Sequence, residues 1–362
     1  MLSGLLLAAA PLLRAEAQDV DVQGNLTMHD SADPTVGNIL KEGVPFLHNF
    51  GANNTFLGSG AGNFTMSGYN NTASGFIALS GNTTGNNNTA TGFWALYSNY
   101  EGIDNTASGS QALFSNTTGG ANTASGAFAL YRNNGSENTA SGFQALYSNT
   151  TGDGNTACGS IALQYNTTGN YNTALGFAAL RYNTTGSDNT AIGWGAGTPF
   201  GMGDLINATA IGNGAMVNAS NKIRFGNTAV TVIEGQVPYT YTSDRNEKEN
   251  FRAVDAEAVL AKIRGLNVTS WNYKGQDAKQ FRHYGPVAQD FFAAFGHDAV
   301  GTVGTPTTIT SGDLDGVLLL AAQALEKRTV EQQKEIAALK AELEEIKRKV
   351  GGEIAAKTGA GF

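Results

Sequence analysis

One tripeptide, Asn-Thr-Ala, returns at a nearly fixed interval through the middle of the chain, and that interval limits the fold more than any other feature. It begins at Asn71, Asn88, Asn105, Asn122, Asn138, Asn155, Asn172 and Asn189, in steps of 17 residues with a single step of 16. Four residues after each asparagine stands a glycine, from Gly75, Gly92 and Gly109 to Gly193. An Ala-Leu pair follows, ending at Leu79, Leu96, Leu113, Leu130, Leu146, Leu163 and Leu180. An Asn-Thr-Thr-Gly-like turn closes most units, with Gly85, Gly119, Gly152, Gly169 and Gly186 in its last place. Diverged copies at Asn54-Thr55-Phe56 and Asn207-Ala208-Thr209-Ala210 flank the array.

Seventeen residues cannot bury an apolar face alone, so neighbouring units must stack. The α-helical repeat classes are longer and do not place two glycines and an Asn-Thr run in each unit. Short strands divided by glycine turns read instead as coils of a parallel β-solenoid, a β-roll. Glycine supplies positive φ at the corners, alanine suits a narrow interior, and leucine and the aromatics are expected to fill the rest. Asparagine at a fixed place in every coil can form a side-chain ladder along the stack. Nine or ten coils at about 4.8 Å each make a rod of roughly 45 Å.

Composition divides the chain sharply. Residues 1–235 carry 6 Lys and Arg and 13 Asp and Glu, while the shorter stretch 236–362 carries 16 and 17. The formal net charge of −8 argues against a nucleic-acid partner, which requires a basic footprint. A single cysteine, Cys158, excludes an internal disulfide framework and multi-cysteine zinc sites. It stands where most units have serine, and reads as a small residue tolerated in the roll. The histidines His29, His48, His283 and His297 are too scattered for a metal cluster, and no cofactor is expected. Paired carboxylates for glycan cleavage do not stand out in the repeats. Sequons such as Asn82-Thr83-Thr84 and Asn116-Thr117-Thr118 are by-products of the turn motif.

The repeat units over residues 54–225 resemble the head repeats of trimeric autotransporter adhesins. That resemblance implies a left-handed β-roll in a three-chain bundle, with an adhesin-like role. Residues 236–362 show no alternating apolar strands like that family's membrane anchor. At the N-terminus, Leu5 to Leu13 is a short apolar run followed by Ala15-Glu16-Ala17, the pattern of an export signal over residues 1–17. The run is too short to span a bilayer, and no membrane span is expected elsewhere. A secreted or cell-surface location follows.

After Pro238 the texture changes. Asp255 is a good N-cap for a helix to Arg264, with Gly265 past its end and Val259, Leu260 and Ile263 as its buried stripe. Residues 267–273 alternate as a strand, with Thr269, Trp271 and Tyr273 on one face. A second helix is expected to open with Pro286 in its first turn, to share Val287, Phe291 and Phe295 on one face, and to end at Gly296. Finally, Leu318, Ala322, Leu325, Thr329, Gln332, Ile336, Leu339, Leu343, Ile346 and Val350 step by alternating 4 and 3, a coiled-coil seam.

Residues 243–350 resemble the intramolecular chaperone of endosialidases and tail spikes, a self-cleaving peptidase family. The motifs that carry this are Ser243-Asp244-Arg245 with Lys248, His283-x-Gly285-x-x-Ala288-Gln289, and Asp315-Gly316-Val317 leading into the seam. The resemblance implies that this domain makes a homotrimer of the preceding stalk. It also implies that a Ser243–Lys248 dyad cuts the Thr242–Ser243 bond, with Asp244, His283, Gly285, Gln289 and Asp315 as supporting motif positions. Pro286 and Asp290 depart from the common pattern without touching the dyad. The chemistry suits the residue types, because a serine hydroxyl needs a base and a lysine serves as one only when neutral. The expected plan is a signal (1–17), an N-terminal segment (18–53), the roll (54–235), a linker (236–242), the chaperone and self-cleaving domain (243–312), a coiled coil (313–350) and a flexible tail (351–362). The alternative is an uncleaved surface adhesin or binding module in which the C-terminal domain is only a trimerisation clamp. Cell-surface or glycan ligands for the roll are left open.

Overall fold

The computed structural model describes residues 30–358 except 35–36, 231–232, 234–242, 275 and 299–300. The expected signal and the 236–242 linker lie outside the described residues. The chain divides into two units, Met1–Gln236 and Val237–Phe362.

The first unit begins with a hairpin of β1 (Ile39–Lys41) and β2 (Val44–His48). Its two-residue turn, Glu42-Gly43, has positive φ at both positions, as the twist of a tight hairpin demands. Then come β3 (Thr55–Leu57), β4 (Thr72–Ser74), β5 (Thr89–Thr91), β6 (Thr106–Ser108) and β7 (Thr123–Ser125). The series continues with β8 (Thr139–Ser141), β9 (Thr156–Cys158), β10 (Thr173–Leu175), β11 (Thr190–Ile192), β12 (Ala208–Ile211) and β13 (Lys222–Phe225). From β3 onward every strand pairs in parallel with the next, so the roll is a parallel β-solenoid with one strand per coil. The β1–β2 hairpin lies antiparallel on β3 and covers the first coil, the capping a solenoid end requires.

Within each strand from β5 to β10 the middle residue is buried and its neighbours are exposed. Ala90, Ala107 and Ala124 therefore line the interior, joined by the Ala-Leu pairs from Ala78-Leu79 to Ala179-Leu180. The leucines of these pairs, Leu79 to Leu180, sit at φ between 47° and 56°. A left-handed leucine costs about 1–3 kcal/mol, and here the neighbouring coils hold it in place by burying it completely. The threonine columns stand outside in register, Thr72 beside Thr89 beside Thr106.

Two expectations for the interior need correction. Apart from buried Phe56, the aromatics of the repeat do not fill the core: Phe76, Phe93, Phe143 and Phe177 are exposed. On the outside Phe76 stacks on Phe93 and Phe177 on Trp194, and Tyr97, Phe114, Tyr131 and Tyr147 form a continuous stack with ring centroids 5.0–5.2 Å apart. Alanine, leucine and asparagine already fill a coil this thin. The second correction concerns the turn glycines. The Gly75 column has the expected positive φ, but Gly85 and its counterparts do not. A Cβ on Gly85 would come within 2.3 Å of the Gly102 carbonyl oxygen, so close approach of coils, not dihedral freedom, demands glycine there.

Asparagine forms two internal ladders. In the first, Asn88 Oδ1 accepts the backbone N–H of Asn105 at 3.0 Å while its Nδ2 donates to the Gly102 carbonyl at 2.8 Å. In the second, Asn99 Nδ2 donates to Asn82 Oδ1 and to the Gly102 carbonyl, both at 2.9 Å. All are fully buried, so each bond is made where an unpaired group would be costly. Asn82 and Asn116, the first residues of two turn sequons, are thereby enclosed in the folded roll.

In the second unit a 3-10 turn, Arg245–Glu247, precedes α1 (Ala256–Gly265), which Asp255 caps by accepting the N–H groups of Glu257 and Ala258. Gly265 is the last residue of α1, not the first beyond it. β14 (Val268–Trp271) pairs antiparallel with β15 (His283–Pro286), in register Val268–Pro286 to Trp271–His283. Pro286 thus ends a strand, where a missing N–H is tolerated, instead of opening a helix. α2 (Ala288–Phe295) follows, with Phe291 buried 5.1 Å from Phe295.

α3 (Ser311–Thr358) continues eight residues past the last seam position. Its N-terminal part packs against α1. Ala321 and Ala324 are buried there, and Arg328, one turn farther on, pairs with Glu257 at 2.5 Å. A different face carries the seam: Leu318, Leu325, Ile336, Leu339, Leu343, Ile346 and Val350 are each 49–57% exposed.

Candidate functional site

The segment after the linker folds on its own local bonds. Asp244 accepts the backbone N–H of Asn246 at 2.9 Å and so caps the 3-10 turn Arg245–Glu247. Lys248 closes the other end by donating its backbone N–H to the Arg245 carbonyl. A 3-10 turn is tighter than an α-turn, and it returns Lys248 toward the residue that precedes the cap. Lys248 Nζ donates to Ser243 Oγ at 2.6 Å. The Arg245 guanidinium lies 4.9 Å from the Phe251 ring centroid, tying the turn to the chain that follows.

The Ser243–Lys248 contact is within the distance over which a side chain can take a proton from a hydroxyl. Both residues are solvent-exposed in the single chain. Thr242 lies outside the described residues.

The supporting motif positions lie elsewhere in the unit. His283 sits in β15 opposite Trp271, with the rings stacked at 4.7 Å, and Tyr273 meets the His283 ring edge-on at 5.6 Å. Its Nε2 is buried without a hydrogen-bond partner among the described residues. Gly285 pairs with Thr269 in the hairpin. Gln289 is exposed in the first turn of α2 and Asp315 in the second turn of α3. Among the described residues, no hydrogen bond or ion pair joins His283, Gln289 or Asp315 to Ser243 or Lys248.

Sequence reasoning missed β15 and the His283–Trp271 stack. Alternation marked the strand at Trp271, but Gly285-Pro286 masked the matching signal in its partner. Among the described residues, no group of His, Cys, Asp and Glu is placed to hold a metal, and no helix is long and apolar enough to cross a membrane.

No curated protein and no solved structure matches this chain. Its C-terminal unit, which follows the β-solenoid, matches over residues 243–300 the family model described as chaperone of endosialidase.

Proposed function

We propose that this chain is a subunit of a secreted trimeric fibre, assembled by its C-terminal unit, which then cuts itself from the roll at the Thr242–Ser243 bond. The observation that carries the cleavage is the 2.6 Å contact between Lys248 Nζ and Ser243 Oγ, in a segment matching a family named for chaperoning endosialidases. The observation that carries the assembly is the row of half-exposed apolar residues along α3, a heptad seam whose burial requires further helices.

The chemistry follows from the serine lying just after the bond. Ser243 Oγ attacks the Thr242 carbonyl carbon while Lys248, in its neutral form, takes the hydroxyl proton. The C–N bond then breaks, and the proton passes to the Ser243 nitrogen. The acyl group has moved from nitrogen to oxygen, leaving an ester. Water hydrolyses that ester, releasing a Thr242 carboxylate and a chain that begins at Ser243. Burial favours the neutral lysine, so trimer contacts over the exposed Lys248 supply the trigger. Processing is thereby coupled to assembly.

The exposure of both side chains in the single chain favours a second reading, in which the dyad stays solvated and the C-terminal unit remains attached as a clamp. Mass spectrometry of the assembled protein separates the two. Cleavage predicts fragments ending at Thr242 and beginning at Ser243. Ser243→Ala and Lys248→Arg should each abolish the cut while leaving the trimer intact, because a guanidinium cannot act as the base. Hydroxylamine, which intercepts esters, should speed release from the wild type. Cutting of Ser243→Ala at the same bond would reject the assignment.

A further inference from the structure

Up to β11 the roll steps by 17 residues, with a single step of 16 between β7 and β8, and it then lengthens, since Thr190 stands opposite Thr209. The two additional residues enter a loop with a tight turn in which Met202 N–H donates to the Pro199 carbonyl and Gly201 has φ +86°. A glycine with positive φ at the third position is what a type II turn requires. The second position, Phe200, is lifted clear of the coil and is 85% exposed. Gly203 pins the loop back onto the roll, its carbonyl accepting the N–H and Oγ1 of Thr184.

Phe200 does not stand alone. Its ring meets Tyr182 edge-on at 5.3 Å, and Tyr182 stacks on Tyr165 of the preceding coil at 6.1 Å. These three rings line a cavity of about 670 Å³ whose polar lining includes Ser148, Thr167, Thr184 and Asp204. The nearby cation is already engaged: Arg181 lies 5.5 Å from both tyrosine ring centroids and donates Nε–H to Gln164 Oε1. The Thr167 and Thr184 hydroxyls give their protons to backbone carbonyls, which leaves their oxygens free to accept. Asp204 adds a carboxylate.

We infer that this cavity binds a pyranose unit of a neutral or amino-sugar glycan. A pyranose has an apolar C–H face that suits aromatic rings and a rim of hydroxyl donors that suits the threonine oxygens and the carboxylate. The volume falls in the range of small-ligand sites. Acidic sugars and nucleotides are disfavoured, because Asp204 is the only ionisable acid or base in the lining besides the tyrosine phenols, and the chain carries a net charge of −8. The inference does not depend on self-processing, since intact and cut chains carry the same cavity.

The test is calorimetric titration of the full chain with cellotetraose, a tetramer of glucosamine, and tetragalacturonate. Saturable binding of either of the first two, with tetragalacturonate much weaker, is the expected result. Phe200→Ala, at a position too exposed to govern folding, should weaken that binding about tenfold through loss of one aromatic wall. Tyr97→Ala, in the aromatic stack of other coils, should leave it unchanged. Asp204→Asn should weaken the glucosamine tetramer and spare cellotetraose. Absence of saturable binding to both sugars, a preference for tetragalacturonate, or wild-type affinity in Phe200→Ala would each overturn the inference.

Discussion

In the roll, the buried asparagines of both ladders find their hydrogen-bond partners in adjoining coils of the same chain, whereas along α3 seven apolar residues stand half out in solvent. The first region satisfies itself once it is stacked, and the second holds a surface that the described residues of its own unit leave exposed. The difference separates being stable from becoming folded. A parallel solenoid draws its stability from contacts between coils but must form strand edges without a partner on the way, which is slow and prone to aggregation. In the proposed fibre, a seam pairing with copies of itself would bring chains together before those edges are closed.

The largest effect should come from breaking that division of labour. Deleting residues 313–350 should send the roll into aggregates on refolding, whereas a roll folded with the full chain and then separated from it should stay soluble. Light scattering during refolding distinguishes the two, and a soluble truncated product would refute the dependence.

Next in size is an internal ladder position. Asn122→Ala removes the acceptor of the Asn138 N–H and the donor to the Gly135 carbonyl and Asn105 Oδ1. Unpaired buried groups make this cost about 2–4 kcal/mol in denaturant titration. A loss below measurement error would mean that the ladders do not hold the coils together.

A smaller, pH-dependent effect is expected at the cap of the roll. Burial holds the His48 imidazole below its ordinary 6.5, with its hydrogen bond to the Ala61 carbonyl opposing the shift. The folded pKa is lowered, so the unfolded chain binds the proton more readily. Cap stability is therefore complete above pH 6.5 and declines as pH falls from there toward the folded value. Protection factors in β1 and β2, with exchange corrected for its intrinsic pH dependence, should fall as pH is lowered below 6.5, and His48→Gln should flatten that dependence. The smallest effect belongs to Glu257→Gln, which removes the exposed pair with Arg328. Exposed pairs contribute little, so the melting temperature should hardly move.

How far each region could be read beforehand follows the same division. The coil length, the strand at each Asn-Thr-Ala, an asparagine ladder and the glycine columns were legible because a repeat states one local rule many times. The hairpin over β3 had a signal, Glu42-Gly43 between apolar runs, but a single short hairpin carries little weight. In the C-terminal unit the capped helix at Asp255 and the seam were legible from local chemistry and periodicity. β15 was not, because a strand of four residues ending in Gly-Pro is defined by its partner. For the candidate site, the five-residue spacing of Ser243 and Lys248 and its motif were visible. The 3-10 turn that joins the two side chains depends on Asp244 accepting the Asn246 N–H, a bond that spacing alone does not predict.

By itself, then, the sequence determined what is periodic or local: the coil, the caps and the heptad face. Only the tertiary structure decided which side of a coil the aromatics occupy, why the turn glycines are glycine, and that the one lengthened coil builds a cavity at Phe200. Those outcomes depend on distances between residues 17 or more apart in the chain. Such distances are set by how tightly neighbouring coils approach, and no single unit encodes them.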